Sequence, residues 1–110
     1  MKYIKKYENY VDTPQIGDYV LIHTNSNAKN VANFVNNTIG KIIDIRFKYK
    51  DIFELEHPGD LRVEYEEVPE DVQSWFFDKN KRTFTLEQII SFGKTKKELE
   101  EKLAEKKYNL

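Results

Sequence analysis

The segment that most constrains the fold is a strand-like run that ends in consecutive aromatic residues. Apolar and charged residues alternate with a period of two over residues 61–66, LRVEYE. Successive side chains of a β-strand point to opposite faces of the sheet, so the alternation predicts a strand with one buried and one solvated face. The period changes at Pro69, and residues 75–77 are WFF. The chain therefore has to bury one face of a sheet and then accommodate three adjacent rings.

Short strands are also predicted on both sides of this segment, where apolar and β-branched residues alternate or cluster between turn signals. The predicted strands are residues 16–22, 38–49, 52–56, 61–68, 82–85 and 89–92. Pro58 and Gly59 suit the centre of a type II turn, since glycine tolerates the positive φ that the second central position requires. We therefore expect residues 52–56 and 61–68 to pair as an antiparallel hairpin.

Helical signals lie at both ends of the chain. Apolar residues recur at helical spacing over residues 3–11, and Pro14 ends this predicted helix. The helix is expected to lie against the sheet, with a free arm for a partner as the alternative. Thr95 and Glu98 match a capping box that starts a C-terminal helix. Shorter helical segments are predicted at residues 31–37, 69–76 and 85–88.

These elements predict a mainly β (α+β) fold. A length of 110 residues is that of one domain with its own core. Five to six short antiparallel strands, a short inserted helix and helices at both termini are typical of a small barrel. The domain would comprise an N-terminal helical arm at residues 1–15, a barrel at 16–93 and a C-terminal helix at 94–110.

Four motifs, taken in order, resemble those of SH3-like barrels, and of their KOW, Tudor and chromo-like members in particular. The motifs are GDYV at 17–20, IGKI at 39–42, VEY at 63–65 and FTL at 84–86 with Ile89. The resemblance covers about residues 16–93 and depends on the order of the motifs; the inserted and terminal helices depart from the minimal barrel. Members of this class mostly bind peptides, modified tails or nucleic acid, so the resemblance implies a binding module.

The ratio of lysine to arginine bears on the origin of the coding sequence. The chain has 15 lysines against three arginines, which indicates an AT-rich coding sequence of the kind found in many phages. The overall layout is also similar to small uncharacterised phage proteins. That resemblance implies a viral source and no particular biochemical activity.

Side chains suited to catalysis or metal binding are few. The chain has no cysteine, which excludes disulfides, thiolate nucleophiles and the usual structural zinc sites. His23 and His57 are its two histidines, and no patterned carboxylate accompanies them. We therefore predict a non-enzymatic protein with no cofactor and no metal site.

The hydropathy pattern lacks a membrane signal. No apolar run approaches the roughly 20 residues that span a bilayer, and residues 1–10, MKYIKKYENY, lack the apolar core of a signal peptide. A cytoplasmic protein without a membrane partner is expected, in the host cytoplasm if the source is viral.

Charge is distributed unevenly along the chain. Residues 51–71 contain one arginine and nine acidic residues, a net charge of −8, whereas the whole chain has a net charge of −1. The predicted hairpin would present an acidic face made of Glu54, Glu56, Glu64 and Glu66. This face is either a solvated surface that discourages edge pairing or a surface that attracts a basic partner. Nucleic-acid binding would instead need the basic residues Lys41, Arg46, Lys48, Lys50 and Arg82.

The three adjacent rings cannot share one face of a helix. Successive helical residues are rotated by about 100°, so a helix that buries Trp75 and Phe76 turns Phe77 away. Either the helix ends at Phe76 and Phe77 turns inward, or one ring remains exposed, in which case Trp75 is the candidate. An exposed tryptophan beside charged residues is a frequent anchor of protein interfaces.

These observations predict a binding module that engages a host or viral protein. The predicted contact surface combines the acidic hairpin face with Trp75 and Phe77, and inhibition of a host system would suit such a protein. The alternatives are a nucleic-acid-associated barrel and a structural component that self-associates through its terminal helices. The oligomeric state stays open at this level.

Overall fold

The computed structural model of the chain describes residues 13–108, with side chains up to residue 105. The N-terminal helix predicted over residues 3–11 lies outside the described residues. In chain order, the elements are β1 (Tyr19–Ile22), α1 (Lys29–Asn36), β2 (Gly40–Arg46), β3 (Tyr49–Lys50), β4 (Glu56–His57), β5 (Asp60–Glu64), β6 (Lys81–Thr85), β7 (Ile89–Gly93) and α2 (Lys96–Tyr108). Short 3₁₀ turns precede β6 and β7, at Gln73–Trp75 and Leu86–Gln88.

The fold is mainly β, as predicted. Strands β1, β2, β5, β6 and β7 form one antiparallel sheet in the order β6-β5-β2-β1-β7, and β3 and β4 form a separate hairpin. The edge strands β6 and β7 are joined by residues 86–88 alone. Four Cα steps reach about 14 Å at most, whereas the edges of a flat sheet of this size lie about 19 Å apart. The sheet therefore curls, although within the described residues no strand pairing closes it.

Helix α1 covers one face of the sheet. Its Val31 and Val35 are four residues apart, on one side of the helix, and both are fully buried. The core that they join consists of Val20, Ile22, Val31, Val35, Ile42, Leu61, Val63, Tyr65, Val72, Phe76 and Phe84. Strand alternation turns Leu21 to the other face, and α2, which contacts β1 and β7, buries its own Leu99.

Two predicted helix starts have the expected hydrogen bonds. The Thr95 N–H donates to Glu98 Oε1 (3.2 Å), and the Glu98 N–H donates to Thr95 Oγ1 (3.3 Å). In the turn before β7, the Thr85 N–H donates to Gln88 Oε1 (2.9 Å). These bonds satisfy N–H groups that the first turn of a helix leaves without a backbone partner.

The predicted hairpin between residues 52–56 and 61–68 is wrong. Strand β4 is two residues long and pairs with β3, whereas β5 pairs with β2 and β6. Residues 51–55 form a turn of their own, which leaves little of the run to act as a strand. Strand β2 offers β5 a longer partner, paired from Lys41 opposite Glu64 to Arg46 opposite Asp60 with one register shift between Ile42 and Asp44.

The helix predicted over residues 69–76 is also shorter than expected. Backbone hydrogen bonds span three residues there, as from Trp75 N–H to the Val72 carbonyl (3.0 Å) and from Phe76 N–H to the Gln73 carbonyl (3.0 Å). Phe76 then has extended dihedral angles (φ −118°, ψ 145°). Val72 and Phe76 are both buried in the core.

Candidate functional site

The most exposed large apolar side chains in the described part of the chain lie in the turn between β3 and β4. Ile52, Phe53 and Leu55 are 89%, 76% and 62% exposed, respectively. Single apolar residues are common on protein surfaces, but clustered ones mark interaction sites. We refer to these three residues as the apolar tip.

Asp51 holds the apolar tip in one conformation. Its Oδ1 accepts the backbone N–H groups of Phe53 (2.8 Å) and Leu55 (3.0 Å). The Asp51 N–H donates to the Leu55 carbonyl (3.1 Å), and the Glu54 N–H donates to the Asp51 carbonyl (2.9 Å). Glu54 has a left-handed φ of 63°, which costs a non-glycine residue about 1 kcal/mol and persists where surrounding contacts enforce it. The tip is therefore a hydrogen-bonded turn and not a loose loop.

A chain of side-chain contacts ties the β3–β4 hairpin back to the main sheet. Asp51 Oδ2 lies 2.8 Å from His57 Nε2, and the His57 ring stacks on Tyr49 with 4.6 Å between centroids. Arg46 continues this series of side-chain contacts, because its guanidinium lies 4.1 Å from the centroid of the Tyr49 ring. Arg46 in turn forms a 3.2 Å ion pair with Asp60 at the start of β5. These contacts connect the apolar tip to strand β5 of the main sheet.

The contacts of Asp51 also set a pH limit on the turn. The hydrogen bond with His57, followed by the N–H of Leu55, lowers the pKa of the Asp51 carboxyl below its ordinary value of 3.8. Because the folded pKa lies below the unfolded one, the order that the carboxylate provides is complete above the unfolded pKa and is lost as the pH falls through the folded pKa. We expect the amide signals of Phe53 and Leu55 to lose their folded chemical shifts at that acidic pH in an NMR titration.

The control for this titration is Asp51→Asn, which keeps an acceptor oxygen but cannot titrate. Its tip amides should hold constant shifts over the same acidic range, while the amides of β5 report any global unfolding in both proteins. An equal pH response of the tip in wild type and variant would contradict the role assigned to the carboxylate.

A second exposed group surrounds the end of the 3₁₀ turn. Trp75 and Phe77 are 51% and 42% exposed, whereas Phe76 between them is 6% exposed. Because Phe76 is extended, its two neighbours leave the chain on the side opposite its own ring. Arg82 Nη1 donates to the Trp75 carbonyl (2.6 Å), and the Arg62 guanidinium lies 4.8 Å from the centroid of the Phe77 ring. We call Trp75, Phe77 and Arg62 the aromatic patch.

The exposure of Trp75 agrees with the sequence analysis, which named it as the candidate if a ring stayed outside the core. The alternative, in which Phe77 turns inward, is wrong. Sequence reasoning did not single out Arg62, whose place beside Phe77 depends on the packing of β5 next to the segment after the 3₁₀ turn.

The four predicted acidic residues do not form one face. Glu54 and Glu56 belong to the β3–β4 hairpin, whereas Glu64 ends β5 and Glu66 follows it. Three of them are paired with lysines: Glu56 with Lys48 (3.5 Å), Glu64 with Lys81 (3.6 Å) and Glu66 with Lys96 (3.0 Å). The acidic hairpin face is therefore corrected to separate, largely compensated carboxylates, because the hairpin that would have aligned them does not form.

The five basic residues considered for nucleic-acid binding are not brought together either. Arg82 lies against the core rings Phe76 and Phe84, at 5.7 and 5.9 Å. Arg46 lies on the opposite face of the sheet, paired with Asp60. The three lysines are spread over β2, the loop after it and β3, at positions 41, 48 and 50. A phosphate backbone would need them on one continuous surface.

Sequence reasoning missed the apolar tip because it assigned residues 52–56 to a strand. A signal was present in Asp51, since aspartate readily accepts backbone N–H groups two residues further on and thereby closes a turn. Once Asp51 closes the turn, Ile52, Phe53 and Leu55 lie within it and not in a strand.

Clusters suited to metal binding are not found among residues 13–108, where no three histidine or acidic side chains come together. No helix in the described part of the chain is both long and apolar enough to cross a bilayer. Comparisons with protein-family models, with curated proteins and with solved structures found no match to this chain.

Proposed function

We propose that this protein is a non-enzymatic binding module that docks on a partner protein by inserting its apolar tip into an apolar cleft. The observation that carries the proposal is the exposure of Ile52, Phe53 and Leu55 on a turn whose backbone is held by hydrogen bonds. Full burial of such a side chain contributes roughly 1.5–3 kcal/mol. A turn that is already ordered loses less conformational entropy on binding.

A protein cleft suits the tip better than a lipid surface does. Glu54 lies within the turn, between Phe53 and Leu55, and it is solvent-exposed. Immersing the tip in lipid would carry this carboxylate toward hydrocarbon, which is costly. A protein cleft can hold the apolar side chains while its rim leaves the carboxylate in water or pairs it with a cation.

For the scaffold, we propose an open SH3-like barrel. The strand order β6-β5-β2-β1-β7, the curl of the sheet and the 3₁₀ turn before β7 support this assignment. The β3–β4 hairpin lies in the connection between β2 and β5, and connections on a rigid scaffold are where binding residues concentrate. The viral source and the inhibition of a host system stay predictions.

Photo-crosslinking from the apolar tip tests the proposal. Benzoylphenylalanine would replace Phe53 in the full chain, and Ile90 in a matched control, because Ile90 is an apolar residue on β7, outside the tip, that is 49% exposed. We expect position 53, and not position 90, to crosslink to one discrete partner in cells that express the chain. Crosslinks to copies of this chain alone would indicate self-association and overturn the proposal.

A second experiment compares the affinities of the wild-type and variant proteins for the crosslinked partner. The triple variant Ile52→Ser, Phe53→Ser, Leu55→Ser should bind at least about 100-fold more weakly, which corresponds to roughly 3 kcal/mol. Ile90→Ser should bind within twofold of wild type. Equal binding by the triple variant and wild type would refute the role of the tip.

A further inference from the structure

Arg62 differs from the other two arginines in what its guanidinium contacts within the described part of the chain. Arg46 forms an ion pair with Asp60 and Arg82 donates to the Trp75 carbonyl. Arg62 is exposed, and within the described residues its guanidinium has no ion pair or hydrogen bond; its contact is with the ring of Phe77. Stacking on a ring occupies the face of the guanidinium and leaves its N–H groups free at the edge.

The surroundings of Arg62 favour a singly charged ligand. Arg62 lines an open depression of about 220 Å³ together with Asp44, Arg46, Asp60 and Thr83. Arg46 is neutralised by Asp60, so Arg62 and Asp44, which face each other across β5 and β2, are the remaining charges. The Asp44 carboxylate repels anionic ligands that enter the depression. This repulsion is stronger for a dianionic phosphate than for a single ligand carboxylate bound at the free edge of Arg62.

The rings of Trp75 and Phe77 determine which chemical group of the ligand can bind next to that carboxylate. Trp75 and Phe77 are both partly exposed and flank the buried, extended Phe76, and Phe77 is the ring that contacts Arg62. Tryptophan and arginine are the residues most enriched among the energetically dominant positions of protein interfaces. Because Arg62 is already held against Phe77, it loses little freedom when it binds a carboxylate with two parallel hydrogen bonds.

We propose that the aromatic patch binds an acidic peptide segment, in which a carboxylate pairs with Arg62 and an adjacent apolar side chain packs on Trp75 and Phe77. This goes beyond the function proposed for the apolar tip and does not depend on it. The occupant is a stretch of polypeptide and not a free anion, because the two rings add an apolar surface that a free anion cannot use.

The chain contains one tryptophan, so its intrinsic fluorescence reports directly on this patch. The full-length protein would be titrated with the blocked peptide acetyl-Gly-Leu-Glu-Leu-Gly-amide and with its Glu→Gln counterpart. A third peptide, the Gln counterpart with a free C-terminus, distinguishes a side-chain carboxylate from a terminal one. We expect a saturable change in Trp75 emission with at least tenfold tighter binding of whichever peptide carries the carboxylate that fits.

Two substitutions locate the effect. Arg62→Lys keeps the charge but loses the planar fork, and it should weaken binding at least fivefold; Arg62→Gln should abolish the preference for the acidic peptide. Lys50→Gln, an exposed charge on β3, is the matched control and should leave binding unchanged. NMR spectra of all variants verify that they are folded.

Several outcomes would overturn the proposal. They are the absence of saturable binding by any of the three peptides up to 10 mM, equal affinity for all three peptides, and equal weakening by Lys50→Gln and Arg62→Gln. Displacement of the peptide by inorganic phosphate at equal concentration would also overturn it, because it would show a general anion site.

Discussion

Replacing Phe76 with alanine is expected to lower the free energy of unfolding by about 3–5 kcal/mol. The Phe76 ring is 6% exposed and makes edge-on contacts with Phe34 (5.9 Å) and Tyr65 (5.8 Å). Truncation removes the transfer free energy of the ring, leaves a cavity that rigid neighbours fill incompletely, and deletes two aromatic pairs. Urea denaturation followed by circular dichroism measures the difference.

The neighbouring Trp75→Ala supplies the comparison. Half of the Trp75 side chain is in solvent, so its loss should change the free energy of unfolding by no more than about 1 kcal/mol. If Phe76→Ala proves too unstable to purify, Phe76→Leu should give a smaller loss in the same direction. Equal losses from Trp75→Ala and Phe76→Ala would mean that the packing described for this segment is wrong.

A methyl group added at Gly40 is expected to destabilise the fold by about 2–3 kcal/mol, since it overfills a closed core. A Cβ at position 40 would overlap Val63 Cγ1 and would lie 2.9 Å from Tyr65 Cε1. Both side chains are fully buried on or next to β5, the neighbour of β2. Neither can withdraw without displacing other core residues, so β2 and β5 would have to separate.

Gly93→Ala is the matched control for this substitution. Its Cβ would lie 3.1 Å from Glu98 Oε2, the far end of a flexible and exposed side chain. Moving the carboxylate perturbs at most its capping-box bonds with Thr95, which are worth about 1 kcal/mol, so we expect a change within about 1 kcal/mol. Thermal unfolding of the two variants measures this difference. Equal melting temperatures would contradict the close approach of β2 and β5 at Gly40.

The two exposed surfaces have different physical origins. The apolar tip is exposed because Asp51 closes a turn in the middle of an apolar run, so Ile52, Phe53 and Leu55 cannot reach the core. The aromatic patch is exposed because Phe76 occupies the available core position and its neighbours cannot follow it. In both cases, local backbone geometry keeps apolar groups in water, and a partner can release that cost on binding.

The sequence alone determined the features that depend on contacts between near neighbours. The alternation over residues 61–66 predicted a half-buried strand, and Leu61, Val63 and Tyr65 are buried while Arg62 and Glu66 are exposed. The capping box at Thr95 and the mainly β class were predictable for the same reason. Side-chain period and local hydrogen bonding act within a few residues, where one sequence carries all the information.

Only the tertiary structure decided which strands pair and which ring enters the core. Residues 52–56 resemble a strand, but β5 pairs with β2 because the longer register from Lys41 to Arg46 was available to it. Phe76 is buried against Phe34 and Tyr65, whereas Trp75 and Phe77 on either side of it are exposed. Strand partners and core space are set by residues distant in sequence. The pattern therefore showed that one helix face could not bury all three rings, and packing decided that both Trp75 and Phe77 stay exposed.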